Sequence, residues 1–257
     1  MLVAVAVHRR GVLRASLILV GILGTAAALG WYLWLPNYRP ELRPGERYGI
    51  DVSHHQGAID WIRVAHDGIS FAYIKASEGA TFVDPRFVEN WSGAGDAGLD
   101  RGGYHFFSLC SSGAEQASNF LRVVPDRLEL PPAVDLELSS NCSVRPIAHD
   151  LRAELATFLR RVEAALGSGS VLYVGDDFED AYPGVRSIER PRWRLRFLLR
   201  PDEDDWRVWQ VGSYARVDGI VGQVGLDVMR SDDDYRIDES AAPPRPRRTS
   251  NGCAWRR

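Results

Sequence analysis

The feature that most restricts the fold is an alternation. Between Tyr48 and Met229, short runs rich in β-branched and aromatic residues take turns with amphipathic stretches. Period-two patterning predicts strands at 48–52, 70–75, 101–107, 132–138, 170–174, 193–198, 207–211 and 223–229. A 3.6-residue period predicts helices at 59–65, 85–97, 114–123 and 148–166, the last closed by Gly167. Strands joined by helices are βαβ units and build a parallel sheet. About eight strands in roughly 190 residues suit a closed barrel better than an open sheet. Helices thin out after Leu166, so an irregular closing third is expected. Composition adds only bounds. The chain has 257 residues, 45% hydrophobic and 25% charged, which excludes a disordered, collagen-like or multi-span membrane protein.

Polar residues gather toward the C-terminal ends of the predicted strands: Asp51, Lys75 with Glu78, Tyr104 with His105, Asp135 with Glu137, Tyr173, Gln210 and Asp227. Parallel barrels build their active sites at that rim. The densest signal is Pro131-Pro-Ala-Val-Asp135-Leu-Glu137-Leu. Side chains two apart on a strand share a face, so Asp135 and Glu137 stand together with Val134, Leu136 and Leu138 behind them. Two carboxyls this close resist double ionisation, which keeps a proton on one of them. Glycoside hydrolysis needs such a proton donor, and a carboxylate near the sugar carbon that becomes cationic. Asp51 opens a polar turn, Asp51-Val-Ser-His-His-Gln-Gly57. Adjacent His54 and His55 chelate poorly, because successive side chains point apart, so no metal is expected. His105 is expected to be a core histidine with a satisfied hydrogen bond. Of the tryptophans, Trp209, beside Gln210, is the groove candidate; Trp91, Trp193 and Trp206 are expected in the core.

Four segments together carry a resemblance. Asp51-Val-Ser-His-His-Gln-Gly57, Phe71-Ala-Tyr-Ile-Lys-Ala-Ser-Glu-Gly79, Gly103-Tyr-His-Phe-Phe107 and Val134-Asp-Leu-Glu137 resemble, in order and spacing, the glycoside hydrolase family 25 lysozymes. The likeness runs from Tyr48 to about Met229. It implies a modified TIM-type β/α barrel, with about five βα units and a closing group of strands. It also implies N-acetylmuramidase activity on the β-1,4 bonds of peptidoglycan, with no cofactor. By the same resemblance Glu137 is the general acid, Asp135 its partner carboxylate, and Asp51 the acid ending the first strand. Tyr104, Tyr173 and Gln210 fall where the family lines its sugar groove. Lys75 and Glu78 match a polar pair that either contacts sugar or forms an ion pair at the rim.

The chain departs from the family at one place. Where the family reads Val-Asp-Leu-Asn, this chain reads Val224-Gly225-Leu226-Asp227. Asp227 shares a strand face with position 225, so it is a catalytic candidate displaced by about 6–7 Å along the strand. The competing expectation is a weak or inactive wall-binding protein.

The ends differ from the body. Residues 1–47 carry six Arg and two Glu, 239–257 five Arg and one Glu, leaving 48–238 at net −11 within an overall −3. No nucleic-acid signature results. Residues 15–35 lack charge, and as a helix would span about 30 Å, the thickness of a bilayer core. Arg9, Arg10 and Arg14 precede them, and Trp31, Tyr32 and Trp34 mark the far end, as in a membrane anchor. Residues 1–14 are then cytoplasmic. Residues 36–47 are a linker, read as an extended leash reaching at most roughly 40 Å. Residues 48–238 are the catalytic domain, facing the periplasm or cell wall, and 239–257 are a disordered basic tail. The alternative is a signal peptide cleaved near Ala26–Ala28, and secretion. Cys110 and Cys142 each follow one of two neighbouring strands, so a disulfide outside the cytoplasm is expected, against two buried thiols. Cys253 is expected unpaired. The partners expected are peptidoglycan strands and the membrane, for a monomeric protein.

Overall fold

The computed structural model describes residues 2–138, 142–143, 145–202 and 204–231. The tail expected at 239–257, with Cys253, lies outside the described residues.

Eight strands close a ring. They are β1 (Arg47–Val52), β2 (Phe71–Glu78) with its hairpin extension β3 (Phe82–Val83), β4 (Asp100–Phe106), β5 (Ala133–Leu136), β6 (Val171–Val174), β7 (Arg192–Leu195), β8 (Trp206–Ala215) and β9 (Val224–Met229). From β1 through β2, β4, β5, β6 and β7 to β8 each neighbouring pair is parallel. The last strand, β9, runs antiparallel to both β8 and β1. The reason is the connection: residues 216–223 are too few for a parallel crossover, which needs a dozen or more. They turn instead on Gly219 and Gly222, both at positive φ (95° and 98°).

Helices α2 (Trp61–His66), α3 (Phe87–Asp96), α4 (Gly113–Val123), α5 (Ala148–Leu166) and α6 (Asp176–Ala181) follow successive strands. On α5, Leu151, Leu155, Phe158, Leu159 and Val162 form one buried stripe, and Gly167 ends the helix in the left-handed conformation. Ser112 and Glu115 form a reciprocal capping box on α4. Strand alternation sorts two apolar layers. Ile50, Val52, Ile74, Val134, Leu136, Leu172 and Leu226 face the helices, while Phe71, Tyr73, Tyr173, Trp193, Val208 and Met229 fill the barrel. Polar side chains occupy inward positions at the two ends: Arg47 and Asp100 pair at the N-terminal end, beside Phe71 and Met229, and the others gather at the C-terminal rim.

The N-terminal helix, α1 (Leu2–Trp34), projects from the barrel. Ile18–Asn37 is long and apolar enough to cross a membrane, and its helical part from Ile18 to Trp34 is exposed among the described residues. The segment after it is not the extended leash expected from its prolines. Pro36 and Pro40 are buried. Pro36 O accepts from Arg216 N (2.7 Å), and Arg39 pairs with Asp67 (2.6 Å). Arg200 pairs with Glu46, and the Tyr48 hydroxyl donates to Pro40 O. Residues 35–46 are thus a strap held to the barrel along their length.

Candidate active site

The C-terminal rim encloses a cleft of about 340 Å³. The parallel strands all contribute: Asp51 from β1, Lys75 and Glu78 from β2, Tyr104 and Phe106 from β4, Asp135 from β5 with Glu137 just after it. Tyr173, Trp193 and Gln210 complete it from β6, β7 and β8, with Ser53 and His55 from the first turn. Four of the lining residues are carboxyls and one is an ammonium, so the cleft favours cationic character in whatever it holds.

Asp135 is the next-to-last residue of β5 and Glu137 lies just beyond the strand, on the same side of the chain. Burial, then the neighbouring Glu137 carboxyl, push the Asp135 carboxyl well above the usual carboxylate range. Its Oδ1 is buried with no hydrogen-bond partner, which leaves the charged form poorly supported. Burial also raises Glu137, helped by Asp177 and Asp51 and opposed by a hydrogen bond from Tyr173. The pair therefore carries a proton at pH values where ordinary carboxyls are ionised.

Asp51 faces them across the cleft. Its Oδ2 accepts from Gln210 Nε2 at 2.7 Å, and the Gln210 Oε1 accepts in turn from the Tyr173 hydroxyl at 3.2 Å. Gln210 and Tyr173 thereby tie β1, β8 and β6 together beneath the substrate space. Lys75 Nζ lies 2.7 Å from Glu78 Oε2 and 5.0 Å from the Phe106 ring centre. The first turn is fixed from outside: buried Asp84 accepts from both the backbone N–H and the Nδ1 of His54 (2.9 and 2.8 Å). His105 is fully buried between Ser77 Oγ (2.9 Å) and Gln116 Oε1 (3.1 Å) and stacks on Phe158. Gln116 Nε2 donates to Ser108 O and Ser111 O, so its Oε1 accepts and His105 carries its proton on Nε2. Burial lowers the His105 pKa to about 4, which keeps it neutral.

Two expectations from sequence change. Trp209 does not reach the groove; it is 1% exposed, packs in the outer layer and donates to Arg196 O (2.8 Å). Residues adjacent on a strand point to opposite faces, so with Gln210 inward Trp209 must point outward. Trp193, on the neighbouring strand β7 and buried in the barrel as expected, is the tryptophan that also lines the cleft. Asp227 does not reach the groove either. It is fully buried, its Oδ1 accepting from Trp193 Nε1 at 2.9 Å, and it meets the Asp51 carboxyl. Behind the rim, Cys110 and Cys142 are joined as a disulfide with Cα atoms 5.7 Å apart.

Residues 50–220 match the family model for glycosyl hydrolases family 25. The chain is 37% identical over 221 residues to the uncharacterised protein YegX of Escherichia coli K12, covering 80% of each chain. It is 32% identical over 191 residues to lysozyme M1 of Streptomyces globisporus, covering 68% of this chain and 65% of that one. Among solved structures, a family 25 glycosyl hydrolase from Bacillus anthracis superposes with a TM-score of 0.67 at 31% identity, over 79% of this chain and 95% of that one.

Proposed function

Since the chain belongs to glycosyl hydrolase family 25 and is a glycoside hydrolase acting on peptidoglycan, we propose that it is an N-acetylmuramidase worked by Glu137, Asp135 and Asp51. The observation that supports this most is the meeting of a proton-holding carboxyl pair with a third acid in one cleft at the barrel rim. Glu137 gives its proton to the bridging oxygen of the β-1,4 bond between N-acetylmuramic acid and N-acetylglucosamine. The C–O bond breaks with its electron pair on that oxygen, and positive charge grows on the sugar ring. Asp135 meets that charge, through the substrate's acetamido group or directly, and Asp51 adds a fixed negative field. Glu137, now a carboxylate, takes a proton from water as the water adds to the anomeric carbon, which restores the acid. Retention of the anomeric configuration follows from the family likeness. Trp193 and Tyr104 offer apolar surface to the sugar faces.

The exposed apolar helix and the Cys110–Cys142 bridge favour a body outside the cytoplasm, anchored by α1 or released after signal cleavage. The test is turnover of purified peptidoglycan by the full chain in detergent, beside Glu137→Gln, with products read by mass spectrometry after borohydride reduction. New reducing-end N-acetylmuramic acid from the parent alone supports the reading. Glycan binding by both proteins with release by neither replaces it with a wall-binding role, which the glycine at 225 would favour.

A further inference from the structure

Gly225 and Asp227 sit two apart on β9, opposite Asp51 and Gly49 of β1. A Cβ at position 225 would lie 1.8 Å from Asp51 Oδ2 and 2.6 Å from its Cγ. The Asp51 carboxylate therefore occupies the space that any side chain at 225 would need. One register step deeper, Asp227 is fully buried. Its Oδ1 has the Trp193 N–H, while its Oδ2 has no N–H or hydroxyl donor and the carboxyl abuts that of Asp51. Two buried carboxyl groups in contact are satisfied only when one of them carries a proton and donates it to the other.

We infer that Gly225 and Asp227 are one device: the empty position lets the Asp51 carboxylate lie across β9, and Asp227, as a neutral carboxylic acid, donates a hydrogen bond to it from below. Asp51 is the better-supported anion, because it also accepts from Gln210 and from its own backbone N–H. Asp227 has one such donor, and burial followed by the Asp51 charge pushes it well above the carboxylate range. The groups facing Asp227 are Asp51 from β1, neutral Trp193 from β7 and neutral Gln210 from β8. Across the cleft, Asp51 faces Asp135, Glu137 and Tyr104, with Lys75 and Glu78 beyond. Asp227 touches no substrate and is a positioning residue. Resting on the muramidase reading, its role is to hold the Asp51 charge in place without adding a second charge to the cleft. That charge in turn helps keep Glu137 protonated.

The deciding measurement is a carboxyl-carbon NMR titration of the full chain in detergent, labelled with ¹³C-aspartate and assigned with Asp227→Asn and Asp51→Asn. The expected result is a protonated Asp227 and an ionised Asp51 at neutral pH; an ionised Asp227 there overturns the inference. This readout needs no turnover, so a parent that releases no sugar while giving the expected spectrum defeats the muramidase reading and leaves the carboxyl pair standing. With turnover, Asp227→Ala is expected to lose about tenfold or more in kcat/KM, the worth of a hydrogen bond to a charge. Without that donor a buried Asp51 holds its proton to higher pH, so the acid limb of the profile moves up. Asp227→Asn still donates, and recovers most of the loss with the limb in its parental place. Equal losses in the two variants with an unmoved limb would mean a merely structural role.

Discussion

Two carboxyl pairs meet near the rim, built in different ways. Asp135 and Glu137 lie two residues apart on one chain segment and both line the cleft. Asp51 and Asp227 come from antiparallel neighbours, and only Asp51 lines it. Both pairs crowd two acids into too little water, so each retains a proton. What separates them is access. A proton on Glu137 can pass to a bound sugar, whereas one on Asp227 is walled in by Trp193, Gln210 and Asp51. Crowding sets the protonation, and burial decides whether the proton is a reagent or part of the scaffold.

The largest effect should come from breaking the accessible pair. Glu137→Gln is expected to lower kcat by about 10²–10⁴-fold with an unchanged melting curve, measured from initial rates of muropeptide release. Folding must be kept apart from this. His105 is neutral when folded, with a pKa of about 4, and protonates near 6.5 when unfolded. The unfolded chain binds the extra proton, so the share of stability owed to His105 is whole above pH 6.5 and falls by an amount on the order of 3 kcal/mol by pH 4, while the raised carboxyls drift the other way. The difference in urea midpoint between the parent and His105→Gln should shrink across that range as pH falls, which isolates the histidine's share.

Next comes the buried pair. Gly225→Ala places a methyl group where Asp51 Oδ2 lies. A displacement of about 1 Å can cost about 10²-fold, so kcat/KM should fall by that order while far-UV circular dichroism stays parental. The Tyr173 hydroxyl has one proton and two acceptors within reach, Gln210 Oε1 and the Glu137 carboxylate, and so links the two pairs. Tyr173→Phe removes a bond that favours ionised Glu137. The Glu137 pKa should rise, moving the alkaline limb of kcat/KM to higher pH, with a rate loss of about tenfold. The smallest effect belongs outside both pairs: Asp218→Asn breaks an exposed ion pair with Arg63, whose side chains are 56% and 59% exposed. Under about 1 kcal/mol of stability should be lost, with no change in rate.

The difference between the pairs is also a difference in what a sequence displays. Asp135 and Glu137 are legible because a period of two, with Val134 and Leu136 between and behind them, is written within seven residues. The α5 helix is legible for the same reason, as its stripe and its closing glycine are local. Asp227 was visible as an inward acid, but its burial depends on Trp193, 34 residues away in sequence. The choice between Trp209 and Trp193 was open to the alternation rule and needed only the inward orientation of Gln210. The strap was not legible: its contacts with Asp67, Arg200 and Arg216 join parts of the chain that no local pattern connects.

If α1 is kept as a membrane anchor, that strap sets the enzyme's working geometry. With α1 in a bilayer, a loose tether would let the barrel sweep a hemisphere and sample the wall at every height within its radius. Here the helix ends at Trp34, and by Pro36 the chain is already bonded to Arg216 on the barrel. There is no slack to pay out. The cleft then rides at one height above the lipid, tumbling is forbidden, and searching is reduced to two-dimensional drift of the anchor. Which glycan is cut becomes a matter of altitude: strands in that one layer are within reach, and identical strands farther out are not.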